Sequence, residues 1–221
     1  MSEELEFAPI PGLPALLPPG ETLIWQGRPS WRSLARHTFE VRWLAAYFAV
    51  FATLRGLLEY RDGRSLSAAL LATAIVLPAA ALCLGLLTLL AFLNARATVY
   101  SITSKRVVMR FGVAFPMTFN LPFRRLAAAD LSARAEGDGD IALRLSGQGK
   151  IAWLHLWPHA RPWHFSKPQP MLRGLPEAAK VAALLSGAVQ AWTAAEPHAA
   201  RGAAQAALHD GAPGALAEAH S

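Results

Sequence analysis

LSAALLATAIVLPAAALCLGLLTLLAFL, residues 66–93, runs through a short joint into Tyr100-Ser-Ile-Thr-Ser-Lys-Arg-Val-Val-Met-Arg-Phe-Gly112, and this pair of stretches decides the fold. The first holds 28 residues without a formal charge. About 20 apolar residues in helical form cross a bilayer core, so this run spans it even when tilted. The second is basic and alternates apolar with polar residues, the pattern of a β-hairpin. The order implies a membrane segment with a soluble β domain close behind its last span.

Upstream, residues 41–60 form a first span of imperfect apolarity, with Arg42, Arg55 and Glu59 near its ends. Long arginine side chains bury their stems and lift the charge to the interface. Trp43 and Tyr60 sit at opposite ends, where an aromatic belt is expected. Arg61-Asp-Gly-Arg-Ser65 makes a short connection to the second span. Arg28, Arg32, Arg36 and Arg42 precede the pair, and Arg96, Lys105, Arg106 and Arg110 follow it. The connection carries only Arg61 and Arg64, offset by Asp62. The positive-inside rule therefore places both termini in the cytoplasm. Pro78 should kink the second span, because it frees the carbonyl of Ala74.

Composition agrees with this division. Hydrophobic residues are 53% of the chain and charged residues 16%, a shift toward the membrane class. The formal charge is +6 without a lysine- or arginine-rich block, so a nucleic-acid partner is not expected. The single cysteine, Cys83, lies in the second span and excludes an intrachain disulfide. Glu3, Glu4, Glu6 and several prolines open the chain where a signal peptide would be basic and then apolar. The first span is expected to act as an uncleaved insertion signal.

From Arg96 to Trp157 the period is two. Thr98, Tyr100 and Ile102 share a face, as do Val107, Met109, Phe111 and Val113, and then Met117, Phe119 and Leu121. Ile141, Leu143 and Leu145 alternate before the Gly147-Gln-Gly149 break and a further apolar stretch, residues 151–157. Short strands joined by Gly-rich turns predict a small antiparallel sandwich or barrel. Pro176-Glu177 opens a helix with Val181, Leu184, Leu185, Ala188 and Trp192 on one side. It is too short to span and is expected to dock on the β domain, a third span being the alternative. The Ala/Gly-rich residues 193–221 are expected to be a disordered tail.

Few residues offer chemistry. The spans contain no histidine for a pigment magnesium, and His37, just before the first, reads as an interfacial polar group. Small residues do line helical faces: Ala45, Ala49, Ala52 and Gly56 in the first span, and Ala74, Pro78, Ala81, Gly85 and Thr88 in the second. Such faces let backbones approach closely in lipid, either within the hairpin or against a partner helix. His155, His159 and His164 lie near Trp153, Trp157, Trp163, Arg161 and Lys167, without the spacing or acidic company of a metal site. This region reads as a strand end and Pro-rich loop that meets a partner or lipid headgroups. Glu136-Gly-Asp-Gly-Asp140 is a hairpin tip lacking the ligand spacing of a calcium loop. No nucleophile elbow, zinc-protease, phosphate-loop or dinucleotide motif is present, so no enzymatic activity, cofactor or metal is expected.

Tyr100–Gly112, followed by Asn120-Leu-Pro-Phe-Arg-Arg-Leu126 and Asp130-Leu131, resembles the bacterial pleckstrin-homology-like (PH-like) domain that follows paired membrane helices. The lead Leu17-Pro-Pro-Gly-Glu21 with Trp25-Gln-Gly-Arg-Pro29 is similar to those proteins too. Met117-Thr-Phe-Asn-Leu-Pro122 and Pro168-Gln-Pro-Met-Leu-Arg173 resemble the PuhB-type photosynthetic complex assembly proteins of purple bacteria. The resemblance covers about residues 9–192. It implies a membrane protein with a two-helix transmembrane hairpin, then a small antiparallel PH-like β sandwich or barrel with a C-terminal helix. The parts would be a cytoplasmic lead (1–40), spans at 41–60 and 66–93, the β domain with its helix (95–192) and the tail (193–221).

The resemblance further implies a non-catalytic assembly factor for the reaction centre and core antenna, in the intracytoplasmic photosynthetic membrane, with self-association. Its client helices would pack on Ala45, Ala49, Ala52, Gly56, Ala74, Ala81, Gly85 and Thr88. Arg106, Arg110, Arg124, Arg125, Trp157, Arg161 and Trp163 are the candidate β-domain contacts with a partner or with membrane lipid. The competing expectation is a generic membrane-tethered lipid- or peptide-binding module unconnected with photosynthesis.

Overall fold

The computed structural model describes residues 17–146, 153–164 and 168–210. The lead is not a separate piece. Its strand β1 (Leu23–Gly27) is the edge of a four-stranded antiparallel sheet with β2 (Val99–Thr103), β3 (Arg106–Phe111) and β4 (Met117–Pro122), in that order. Trp25 stands opposite Ile102, and Gly27 opposite Tyr100. The β domain is therefore discontinuous in sequence, with the apolar hairpin inserted between its first and second strands.

That insertion has a topological consequence. Because β1 and β2 pair along their length, the two ends of the hairpin must emerge on one side of any membrane it enters. Helix α2 (Val41–Arg61) goes out, and α3 (Leu66–Ala74) and α4 (Leu77–Ala97) return. The return is interrupted at Ile75 and Val76, with Pro78 in the first turn of α4. This is one turn before the proline, where its ring opposes the carbonyl four residues back. Both α2 and the α3–α4 return are long and apolar enough to cross a membrane, and only 11% of the apolar stretch of each is buried inside the protein. A core helix of a soluble protein would be mostly covered. Here Val50, Leu54, Leu57, Leu70, Ile75, Leu82 and Leu86 face outward.

Helix α1 (Trp31–His37) is the strut between hairpin and domain. Leu34 and Ala35 bury against Ala91 and Ala95 of α4. On its other side the Ser30 N–H donates to the Gly174 carbonyl (2.8 Å), and Arg36 pairs with Glu136 (2.9 Å).

The second sheet is β5 (Leu126–Ala133), β6 (Gly139–Leu145) and β7 (Met171–Leu175), in that order. Tyr100, Ile102, Val107, Met109, Phe111 and Leu121 meet Ile141, Leu143 and Leu172 in one core between the sheets. Val113 is not on the inner face with Phe111. It belongs to the turn after β3 and is exposed. The stretch expected as a last strand contains instead a short helix α5 (Trp153–Leu156), and the third strand of the second sheet is Met171–Leu175. Leu156 fills the core from that helical turn, while Leu172 supplies the paired position beside Ile141. Residues 151 and 152 lie outside the described residues.

Helix α6 (Ala178–Asp210) lays Ala178, Val181, Leu185 and Ala188 on the core, as expected of a docked helix and not of a third span. It passes Trp192 and continues to Asp210, so residues 193–210 correct the expectation of a disordered tail. Alanine is the best helix former, and extending an established helix needs no new nucleation. Residues 211–221 lie outside the described residues.

Candidate functional site

The hairpin meets the β domain at a buried polar cluster. Thr98, the residue after α4, is fully buried and donates its hydroxyl to the Asn94 carbonyl (2.7 Å). Its oxygen and Asn94 Oδ1 then face His159 Nε2 as acceptors, at 3.3 and 3.2 Å. His159 must carry its proton on Nε2, leaving Nδ1 to accept from the Tyr100 hydroxyl (2.8 Å). Tyr100 in turn accepts the Arg173 backbone N–H (3.1 Å). Asn94 Oδ1, the Thr98 hydroxyl, both His159 ring nitrogens and the Tyr100 hydroxyl all have partners, and a buried network satisfied in this way favours one arrangement. Burial, and then the nearby Arg173 charge, pushes His159 down to about 3, so it is neutral at physiological pH. Burial also raises the Tyr100 hydroxyl and lowers Arg173 from their ordinary values.

Arg173 donates from Nη1 to the Pro158 carbonyl (3.2 Å), tying β7 to the loop that carries His159. Asp140 accepts the Gly174 N–H (2.8 Å) and pairs with Arg134, joining β6, β7 and the β5–β6 turn. This carboxylate, read from sequence as part of a hairpin tip, is a buried connector. The cluster joins the end of α4 to both sheets of the β domain.

The small-residue faces divide. Ala52 and Gly56 are buried, and a Cβ on Gly56 would lie 3.0 Å from the Ala69 carbonyl and clash with Thr73 Oγ1. The C-terminal half of the first span's face is thus consumed inside the hairpin, Gly56 against Ala69 and Thr73, while Ala45 is half-buried and Ala49 exposed. Ala74, Ala81 and Gly85 are exposed, with nothing within 4 Å of a Cβ built on Gly85, and Thr88 is half-buried. The second span's face stays open.

The β-domain candidates are also split. Arg106 pairs with buried Glu21 (2.7 Å), and Arg161 with Asp130 (3.0 Å), so both serve the fold. Arg110, Arg124 and Arg125 are exposed. Trp157 is half-exposed and meets Phe39 edge-on at 6.0 Å, at the entrance to α2. Trp163 is exposed at φ 63°. Of the three histidines, His159 is withdrawn into the joint, and the His164 Nδ1 lies 2.8 Å from the Pro162 carbonyl. The His155 side chain lies outside the described residues. They do not converge among the described residues.

Two features escaped the sequence reading. The Asn94–Thr98–His159–Tyr100 joint unites positions up to 65 apart, which no local spacing reveals. The edge strand β1 did have a signal, since Leu23, Trp25 and Gly27 alternate with polar or exposed neighbours.

With seven antiparallel strands in two sheets and a helix closing the core, the profile of the bacterial PH domain matches residues 39–189. The chain belongs to the bacterial PH domain family. The match begins after β1 and includes the hairpin. The bacterial PH domain protein is also 42% identical, over 189 residues, to a Rhodobacter capsulatus protein described as an uncharacterized 23.7 kDa protein in the puhA 5′ region. That alignment covers 85% of this chain and 88% of the relative, in accord with the PuhB-type resemblance. A solved Shewanella loihica protein of the DUF1696 family, with a pleckstrin-homology domain, aligns at 12% identity and a TM-score of 0.28. It covers 42% of this chain and 71% of that one.

Proposed function

We propose that this bacterial PH domain protein is a non-catalytic assembly factor for the photosynthetic reaction centre and its core antenna. The relative encoded in the puhA 5′ region carries the reading, since puhA belongs to a photosynthesis region. The geometry supports a holding role. One helix face is left open in the hairpin, Ala74, Ala81 and Gly85, and the hairpin is fixed to the domain by the buried joint. A client helix would pack on that face through close backbone approach. The cytoplasmic domain would engage a soluble face of the same client, with Arg110, Arg124 and Arg125 available. Arginines on both flanks of the hairpin support cytoplasmic termini in the bacterial inner, intracytoplasmic membrane.

The test is a mild-detergent pull-down of tagged protein from membranes that are building photosynthetic complexes, with a near-infrared spectrum and subunit identification. Reaction-centre or core-antenna polypeptides at less than full stoichiometry are expected, because a factor that never releases would be a subunit. A colourless eluate holding other proteins or only lipid would refute the proposal. It would favour a membrane-tethered lipid- or peptide-binding module. One feature favours that second reading: a groove of about 230 Å³ between the sheet-edge strand β5 and α6, lined by Ala128, Leu131, Leu185 and Val189.

A further inference from the structure

The strand register places one more element at the end of the domain where the hairpin enters. β2 begins two residues after α4 ends, and its first residue, Val99, pairs with Arg110 near the end of β3. The β3–β4 turn, residues 112–116, therefore projects from the same end as α4, and so do the end of β1 and the loop bearing Trp157. This turn reads Gly-Val-Ala-Phe-Pro. Phe115 is 82% exposed and Val113 45%, so the turn presents apolar side chains outward.

The turn's shape is imposed. Gly112 has φ 118°, and a Cβ there would run into the Phe115 carbonyl and approach Pro116 Cα at 3.2 Å. Only glycine allows the backbone to fold back so tightly, and the consequence is that Phe115 is held away from the core that receives Phe111 and Phe119. Two residues of extended chain reach about 7 Å beyond the Val99–Arg110 pair. α4 arrives at this same end and touches β3. Arg96 lies there with its guanidinium 5.5 Å over the Phe92 ring, an arrangement that marks the headgroup level for a helix leaving lipid. Arg42 and exposed Trp43 open α2 at this end, and Arg110 flanks the turn.

We infer that the β3–β4 turn is a lipid-interface wedge: Val113 and Phe115 enter the boundary zone of the bilayer that holds the hairpin, with Arg110 and Arg96 toward anionic headgroups. Continuity with the emerging helices, and apolar residues rimmed by arginine, argue for lipid as the occupant. The wedge gives the domain a second attachment beside the α4 joint and so sets its tilt against the membrane. The inference rests on the hairpin residing in a bilayer.

The experiment uses the full chain with Cys83→Ser, carrying Phe115→Cys or Val113→Cys labelled with an environment-sensitive fluorophore. It is reconstituted in vesicles of equal parts phosphatidylcholine and phosphatidylglycerol containing a shallow nitroxide lipid. The control is Lys105→Cys, in the β2–β3 turn at the opposite end of the domain. Blue-shifted emission and several-fold stronger quenching at 115 and 113 than at 105 are expected. Equal, weak quenching at all three positions would overturn the wedge, and so would protection found only in native membranes, which would assign the surface to a protein partner. Alkaline extraction of the same vesicles separates the two failures: a chain released by alkali refutes residence in the bilayer itself.

Discussion

His159 makes the joint between hairpin and domain sensitive to acid, by an amount that can be worked out. Its ring is fully buried, with Nδ1 accepting from Tyr100 and Nε2 donating toward Asn94 and Thr98. A second proton on Nδ1 would face the Tyr100 hydroxyl and add a charge near Arg173. Its folded value is about 3 against an ordinary 6.5, so between these values the unfolded chain binds the proton and the folded chain does not. Stability is complete above about pH 6.5 and falls as the pH drops toward 3. Integrated from pH 7 to pH 5, this one group removes about 2 kcal/mol. His159→Gln keeps a donor and an acceptor but cannot titrate. Thermal unfolding of both proteins in detergent, followed by tryptophan emission, should show the original losing about 8 °C more than the variant over that interval, at about 4 °C per kcal/mol for a domain of roughly 100 residues. The other histidines contribute alike to both and cancel. Parallel pH profiles would refute the assignment of His159 as the buried neutral link.

Four further outcomes follow from the packing. Tyr100→Phe leaves the Arg173 N–H and His159 Nδ1 buried without partners, and should cost about 2–4 kcal/mol by denaturant titration at pH 7. Asp140→Ala removes the acceptor of the Gly174 N–H while Arg134 keeps Asp138 nearby (3.7 Å), so the cost should be about 1–3 kcal/mol in the same assay. Gly56→Leu should force α2 from α3 at Ala69 and lower hairpin stability against detergent unfolding by at least about 1–3 kcal/mol. Gly85→Leu has open space, so insertion and hairpin stability should hold while client capture weakens; unchanged capture would remove the proposed role of the second span's face.

Much of the β architecture can be read locally because side chains alternate along strands. Tyr100 and Ile102, Val107 to Phe111, and Ile141 with Leu143 all enter the core from the faces that period two assigns them. The misread segments are those where alternation is not the deciding force. Residues 153–156 are apolar enough for a strand, yet the place beside β6 is taken by Met171–Leu175. The joint around His159 was illegible for a different reason. Its partners come from the end of α4, two strands and a loop, and a hydrogen-bond network between such positions has no periodicity.

The order of residues shows an uncharged run long enough to cross a bilayer, a first apolar stretch joined to it through Arg61–Ser65, and an alternating domain behind. Those properties come from the length and period of apolar residues, which act through neighbours in the chain. Only the folded chain shows that β1 joins the sheet across the whole hairpin, and that Ala52 and Gly56 are covered while Ala74, Ala81 and Gly85 stay open. It also shows that Phe115 points out of the end at which α4 enters the domain. Each depends on which distant segments pair or pack, and that pairing is chosen by the burial of the whole core and not by any stretch within it.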